Sequence, residues 1–155
     1  MHKKINDMGM ESPGYSLMHS RRAEGPIKRV LIVEDEDSLR YILSEIVSSM
    51  GFDVAVARNG KEGLNLFREN PFDMVLTDLR MPFMDGISMS RHIRERSRHT
   101  PIILLTGENK DYVFRILQRT QVTSILFKPF RLEDIEKTVQ EVMDLYKNHE
   151  IASAQ

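Results

Sequence analysis

From Lys28 onward the apolar residues switch between two spacings. Val30-Leu31-Ile32-Val33 is a continuous run that stops at acids, the pattern of a strand buried on both faces. Residues 36–50 then place Leu39, Ile42, Leu43, Ile46 and Val47 on one helical face. Gly51 follows at the position where a helix commonly ends in a left-handed residue. The same alternation recurs four more times. Asp53 to Ala57 predicts a second strand, and Asn59 caps a helix over 60–69 that Asn70-Pro71 ends. Asp73 to Thr77 predicts a third strand, again stopping at an acid. A turn with Pro82, Asp85 and Gly86 leads into a helix over 87–96. Pro101 precedes a fourth strand, Ile102 to Leu105, and a helix over 110–119. Ser124 to Phe127 predicts a fifth strand, stopped by Lys128-Pro129. The last helix runs from about Leu132 to Lys147, with Leu132, Ile135, Val139, Val142, Met143 and Tyr146 on one face.

Apolar strands alternating with helices imply a parallel sheet covered on both sides, a doubly wound α/β domain of three layers. Residues 27–148 hold all five units, and 155 residues fit about one domain. Residues 1–26 carry neither period and contain Gly9, Pro13, Gly14, Gly25 and Pro26, so they are expected to be a flexible extension. Residues 149–155 are expected to be a frayed tail.

Charge and composition narrow the classes. A net charge of −1 gives no whole-chain attraction to nucleic acid or anionic membrane. The first 26 residues set Lys3, Lys4, Arg21 and Arg22 against Asp7, Glu11 and Glu24, too balanced for a nucleic-acid arm. The absence of cysteine excludes disulfides and thiolate metal sites. No run approaches the roughly 18 apolar residues of a membrane span, and no apolar stretch follows Lys3-Lys4 as a secretory signal would require. The expected location is the cytoplasm. His2, His19, His92, His99 and His149 show no pairing at metal-ligand spacing.

In such a sheet, ligands bind outside the carboxyl ends of the strands. Those ends read Glu34-Asp35-Glu36, Thr77-Asp78, Leu105-Thr106 and Phe127-Lys128-Pro129. Acids, a hydroxyl and an amine therefore converge. Crowded carboxylates repel unless a cation lies among them, and oxygen ligands without His or Cys select a hard cation, with magnesium the intracellular default. A metal clamp neutralises a transferring phosphoryl group, an ammonium pairs with its oxygens, and an Asp can be the nucleophile.

Four segments in this order resemble the receiver domain of two-component response regulators over roughly residues 28–148. They are Leu31-Ile32-Val33-Glu34-Asp35-Glu36, Asp78-Leu79-Arg80-Met81-Pro82-Phe83-Met84-Asp85-Gly86, Thr106-Gly107-Glu108 and Lys128-Pro129-Phe130. The resemblance implies a flavodoxin-like strand order 2-1-3-4-5. It implies that Asp78 is the phospho-acceptor, that Asp35 and Asp78 hold magnesium with Glu34 acting through water, and that the Arg80 carbonyl completes the set. It implies that Thr106 and Lys128 contact the phosphoryl oxygens and that Lys128-Pro129 is a cis peptide. The implied partners are a sensor histidine kinase or histidine phosphotransfer protein, and a downstream protein or second copy at the helix 4/strand 5/helix 5 face. There Tyr112, Val113, Phe114, Ile116 and Leu117 exceed one buried stripe. This sequence departs from the family in having Ile125 in place of an aromatic three before Lys128, Gln121-Val122 in place of Gly-Ala, and Glu34 in place of Asp.

Three other readings compete. An Asp-nucleophile phosphatase needs an acid two residues after the nucleophile, and Arg80 stands there. An unphosphorylated interaction scaffold would not need the full acid–Thr–Lys set. A flavin-nucleotide site would need a phosphate cradle after the first strand, where Glu34 and Asp35 repel phosphate instead.

Overall fold

A computed structural model describes Pro26 and residues 28–154. The expected extension over 1–26 thus lies, apart from Pro26, outside the described residues. Five strands, β1 Arg29–Val33, β2 Asp53–Ala57, β3 Met74–Asp78, β4 Ile102–Thr106 and β5 Ser124–Phe127, form one parallel sheet in the order β2-β1-β3-β4-β5. The helices are α1 Asp37–Ser49, α2 Gly60–Glu69, α3 Gly86–Arg96, α4 Lys110–Leu117 and α5 Leu132–Ser153. This is the doubly wound architecture expected from the alternation.

The three central strands are apolar along most of their length because each face meets helices. Successive side chains of a strand point to opposite faces. Accordingly Val30 and Ile32 of β1 pack with Leu43 and Val47 of α1 and with Ile135 and Val139 of α5. Leu31 and Val33 pack with Leu64 of α2 and with Met89 and Ile93 of α3. A third cluster joins Leu104 of β4 to Val113 of α4, with Leu79 and Ile87. Each fully buried Leu, Ile or Met contributes about 1.5–3 kcal/mol of transfer free energy. Short polar side chains fix where α2, α3 and α4 begin, the last through Asn109. Asn59 Oδ1 accepts from the Glu62 N–H at 2.9 Å, and Asp85 Oδ1 accepts from the Ser88 N–H at 2.7 Å.

Two details differ from the sequence reading. The last helix does not end near Lys147 but runs to Ser153, so residues 149–153 are helical rather than a tail. No Gly or Pro interrupts that stretch, the Ser153 hydroxyl donates to the His149 carbonyl at 2.8 Å, and Lys28 reaches Glu150 at 3.8 Å. The apolar stripes are also narrower than drawn. Ile42 is 49% exposed at the margin of α1, and Leu132 is 52% exposed as the first residue of α5. Among the described residues no helix is long and apolar enough to cross a membrane.

Gly86 is needed for space. Its N–H donates to the Leu79 carbonyl at 2.9 Å, and a Cβ there would overlap the Asp78 carbonyl oxygen. Gly107 has room, since its nearest neighbour would be the Lys128 Cβ at 3.9 Å. Gly86→Ala is therefore expected to lower unfolding free energy by about 1–3 kcal/mol, the usual cost of overpacking. Gly107→Ala should change it by less than about 0.5 kcal/mol. Urea denaturation of both variants measures the difference.

Candidate functional site

The site lies at the carboxyl ends of the strands, where register sets its depth. β1 leaves the sheet at Val33, and the Glu34 N–H donates to the Ala57 carbonyl at 3.0 Å. Glu34 is thereby held at 1% exposure, while Asp35 lies exposed beside it. Asp78 closes β3 at 7% exposure, and Thr106 closes β4 at 1%. Lys128 follows β5, its N–H donating to the Thr106 carbonyl at 2.7 Å, and Lys128-Pro129 is cis.

These side chains meet. Ligand oxygens of Glu34, Asp35 and Asp78 lie within 4.8 Å of one another. Lys128 Nζ stands 3.3 Å from Asp78 Oδ2 and 3.5 Å from Glu34 Oε2. Asp78 Oδ1 accepts from the Leu79 N–H at 2.8 Å, and Glu34 Oε1 accepts from the Glu36 N–H at 3.1 Å. Thr106 Oγ1 accepts from the Glu108 N–H at 3.0 Å, which leaves the hydroxyl proton free to donate. Arg80 is a different case. Its side chain is exposed, its Nε donates to Glu108 Oε1 at 2.8 Å, and its guanidinium lies over the Tyr112 ring at 5.3 Å.

Electrostatics follow from the crowding. Burial, then the neighbouring Asp78 charge, push the Glu34 carboxyl up to about 7. Burial also raises Asp78, opposed by the Lys128 ammonium. Two buried acids that resist ionisation, with an exposed third beside them, form a donor set suited to a hard divalent cation. Lys128 compensates only part of the charge.

Some contributors carried no clear sequence signal. Arg40 Nη1 donates to the Glu34 carbonyl at 2.9 Å, and Nη2 also meets Asp37, bracing the turn from β1 into α1. Phe83 adopts φ 67° and is 87% exposed on the loop after β3. On the α4–β5 side, Phe114 is 55% exposed, while Tyr112, Ile116, Leu117 and Ile125 pack around Val113. The surplus of α4 is thus narrower than five residues. Phe114 meets Phe127 edge-on at 6.4 Å.

An acidic pocket with one lysine thus stands at the strand ends of a doubly wound sheet. The chain belongs to the response regulator receiver domain family, whose model matches residues 30–140. It is 37% identical over 119 residues to regulatory protein AtoC of Escherichia coli K12, a match covering 77% of this chain and 26% of AtoC. The chain thus spans about a quarter of that relative's length. Among solved structures, Vibrio cholerae chemotaxis protein CheY4 superposes with a TM-score of 0.72 at 32% identity, covering 76% of this chain and 99% of CheY4. Response regulator TrrA of Thermotoga maritima, solved in complex with magnesium and beryllofluoride, gives 0.68 at 28% identity, over 75% of this chain and 99% of TrrA.

The raised Glu34 pKa sets a pH dependence. Its folded-state carboxyl holds a proton more tightly than the unfolded chain does, so the metal-free fold loses stability as pH rises from about 4.5 toward about 7. A divalent cation entering below about 7 must displace that proton. Magnesium affinity measured by calorimetry should therefore rise with pH up to about 7 and level off above it. Glu34→Gln should flatten that slope.

Proposed function

We propose that Asp78 accepts a phosphoryl group from a phosphohistidine and so switches which protein this domain binds. The observation that carries this reading is the meeting of three carboxylates with Lys128, with Thr106 closing the strand between Asp78 and Lys128. Glu34, Asp35 and Asp78 would hold magnesium, together with the main-chain carbonyl of Arg80. When bound, the ion neutralises charge on the transferring group.

The chain's own residues do the rest. An Asp78 carboxylate oxygen attacks phosphorus, the bond from phosphorus to the donor imidazole breaks, and its electron pair returns to that nitrogen. The Leu79 N–H fixes one Asp78 oxygen during attack. The Lys128 ammonium, already between Asp78 and Glu34, moves its pairing to a phosphoryl oxygen. The Thr106 hydroxyl donates to another. The reaction is acceptance of a group and not turnover of a small substrate, and Arg80 stands where a phosphatase would carry its acid. The donor is a histidine kinase or a histidine phosphotransfer protein. The recipient of the signal is a downstream protein or a second copy, docking where Phe114 is exposed on α4.

With magnesium and a small phosphodonor, wild type should gain one phosphoryl mass, located at Asp78. Asp78→Asn should gain none, and labelling equal to wild type would overturn the assignment.

Phosphoryl lifetime depends on water reaching phosphorus opposite the Asp78 oxygen. Arg80 and Glu108 pair at the mouth of the site at 2.8 Å. So exposed a pair adds only about 0–1 kcal/mol of stability, but it occupies the path. Arg80→Ala is expected to shorten the lifetime of phosphorylated Asp78, by up to about tenfold for about 1.4 kcal/mol of barrier. Loss of label over time in the purified protein measures it; an equal or longer lifetime means that the pair does not screen water.

A further inference from the structure

The turn from β1 into α1 carries two of the three acids, and its main chain is fastened differently from the other helix starts. α2, α3 and α4 each begin under a side-chain cap, from Asn59, Asp85 and Asn109. Glu36 stands at that position for α1, and its side chain accepts no main-chain N–H there. Other groups must hold this turn.

Asp35 lies exposed in the turn and forms no ion pair among the described residues. The place of its carboxylate is therefore set by the main chain on either side of it. Before Asp35, the Glu34 N–H donates to the Ala57 carbonyl at 3.0 Å, and Arg40 Nη1 donates to the Glu34 carbonyl at 2.9 Å. After Asp35, the Glu36 N–H donates to Glu34 Oε1 at 3.1 Å, and the Arg40 N–H donates to the Glu36 carbonyl at 2.9 Å. Arg40 thus grips both carbonyls that flank Asp35, one through its side chain and one through its main chain. The main-chain bond belongs to the helix, and any residue but proline would make it. The side-chain bond needs this residue type.

The Arg40 side chain suits that task. It is 12% exposed, so its stem is packed. Nη2 is engaged by Asp37 while Nη1 meets the Glu34 carbonyl. A planar guanidinium with several donors in fixed directions holds two such partners at once, whereas a lysine ammonium is a compact point charge. The pair with Asp37 also answers the arginine charge locally.

We infer that Arg40 is a positioning residue for the metal ligands, keeping Glu34 and Asp35 in range of one ion through the Glu34 carbonyl. This role rests on the reading of Glu34, Asp35 and Asp78 as magnesium ligands, and adds to it a residue that touches neither ion nor phosphoryl group. The sign of the effect separates placement from charge. A positive charge near three carboxylates competes with a divalent cation, so deleting a mere charge would tighten magnesium binding. Deleting the brace weakens it, because groups that orient metal ligands from behind commonly change affinity by about 10–100-fold.

The test measures magnesium binding to the full chain by calorimetry, beside the rate of Asp78 labelling by a small phosphodonor at saturating magnesium. Arg40→Met keeps the packed stem and removes the head, and its magnesium Kd is expected to rise about tenfold. Arg40→Lys keeps the charge and loses the fork, and should also bind magnesium more weakly, by a smaller factor. The labelling rate at saturating magnesium should stay close to that of wild type in both, since the lost interaction acts on binding of the ion. Arg94→Met removes a comparable clamp on main-chain carbonyls, those of Gln121 at 2.6 and 2.9 Å and of Thr100 at 2.6 Å. It should leave the magnesium Kd unchanged, which tells loss of placement apart from general loss of stability. Thermal unfolding without magnesium shows which variants are folded, and if Arg40→Met is not, Arg40→Lys decides alone. An unchanged or tighter Kd in either folded Arg40 variant overturns the inference while the magnesium site stands. So does an equal loss in Arg94→Met. Wild type that binds no magnesium overturns the reading of the site itself, and the role of Arg40 with it.

Discussion

Three carboxylates whose oxygens lie within 4.8 Å of one another repel, and the Lys128 ammonium between Glu34 and Asp78 is what the domain supplies against that repulsion. One positive charge cannot balance three negative ones. Burial adds to the difficulty, and with the neighbouring Asp78 charge it raises Glu34 to about 7; burial also raises Asp78 against the pull of Lys128. The fold therefore carries excess negative charge at its strand ends, which a proton on Glu34 or a further cation relieves. Parallel register makes this possible. β1, β3, β4 and β5 all run the same way, so their ends face one rim, and residues from 34 to 128 in the chain come within hydrogen-bonding range there.

Holding acids in that position requires a rigid surround. The Ala57 carbonyl fixes the Glu34 main chain, the Leu79 N–H fixes an Asp78 oxygen, and Thr106 is fixed from both sides by Glu108 and Lys128. Beneath them the β1, β3 and β4 side chains are almost wholly enclosed. The repulsive rim is thus tolerated because a closely packed sheet leaves its members nowhere to relax.

Much of this was legible in the sequence because apolar runs that stop at a polar or charged residue mark strand ends directly. Glu34, Asp78, Thr106 and Lys128 each stand at such a stop. Local punctuation was legible for the same reason, as at Asn59, Asp85 and Gly51, where one residue type answers one backbone need. What escaped depends on distance or on margins. The grip of Arg94 on Gln121 spans 27 positions and ends on carbonyls, which have no sequence signature. Arg40 likewise serves a main-chain oxygen. The exposure of Ile42 and Leu132 escaped because periodicity locates the centre of a stripe but not its edge. The extra turns of α5 escaped because nothing breaks them.

The stacking of Arg80 on Tyr112 has an optical consequence. The chain contains no tryptophan and four tyrosines, so its intrinsic ultraviolet emission is tyrosine emission. Tyr112 sits beneath the Arg80 guanidinium at 5.3 Å, and the same Arg80 is tied to Glu108 at the mouth of the acidic pocket. Any event that draws Arg80 away uncovers one ring out of the four. The domain thus has a built-in chromophore at the rim of its own site, reporting the position of a single side chain without a dye or an added residue.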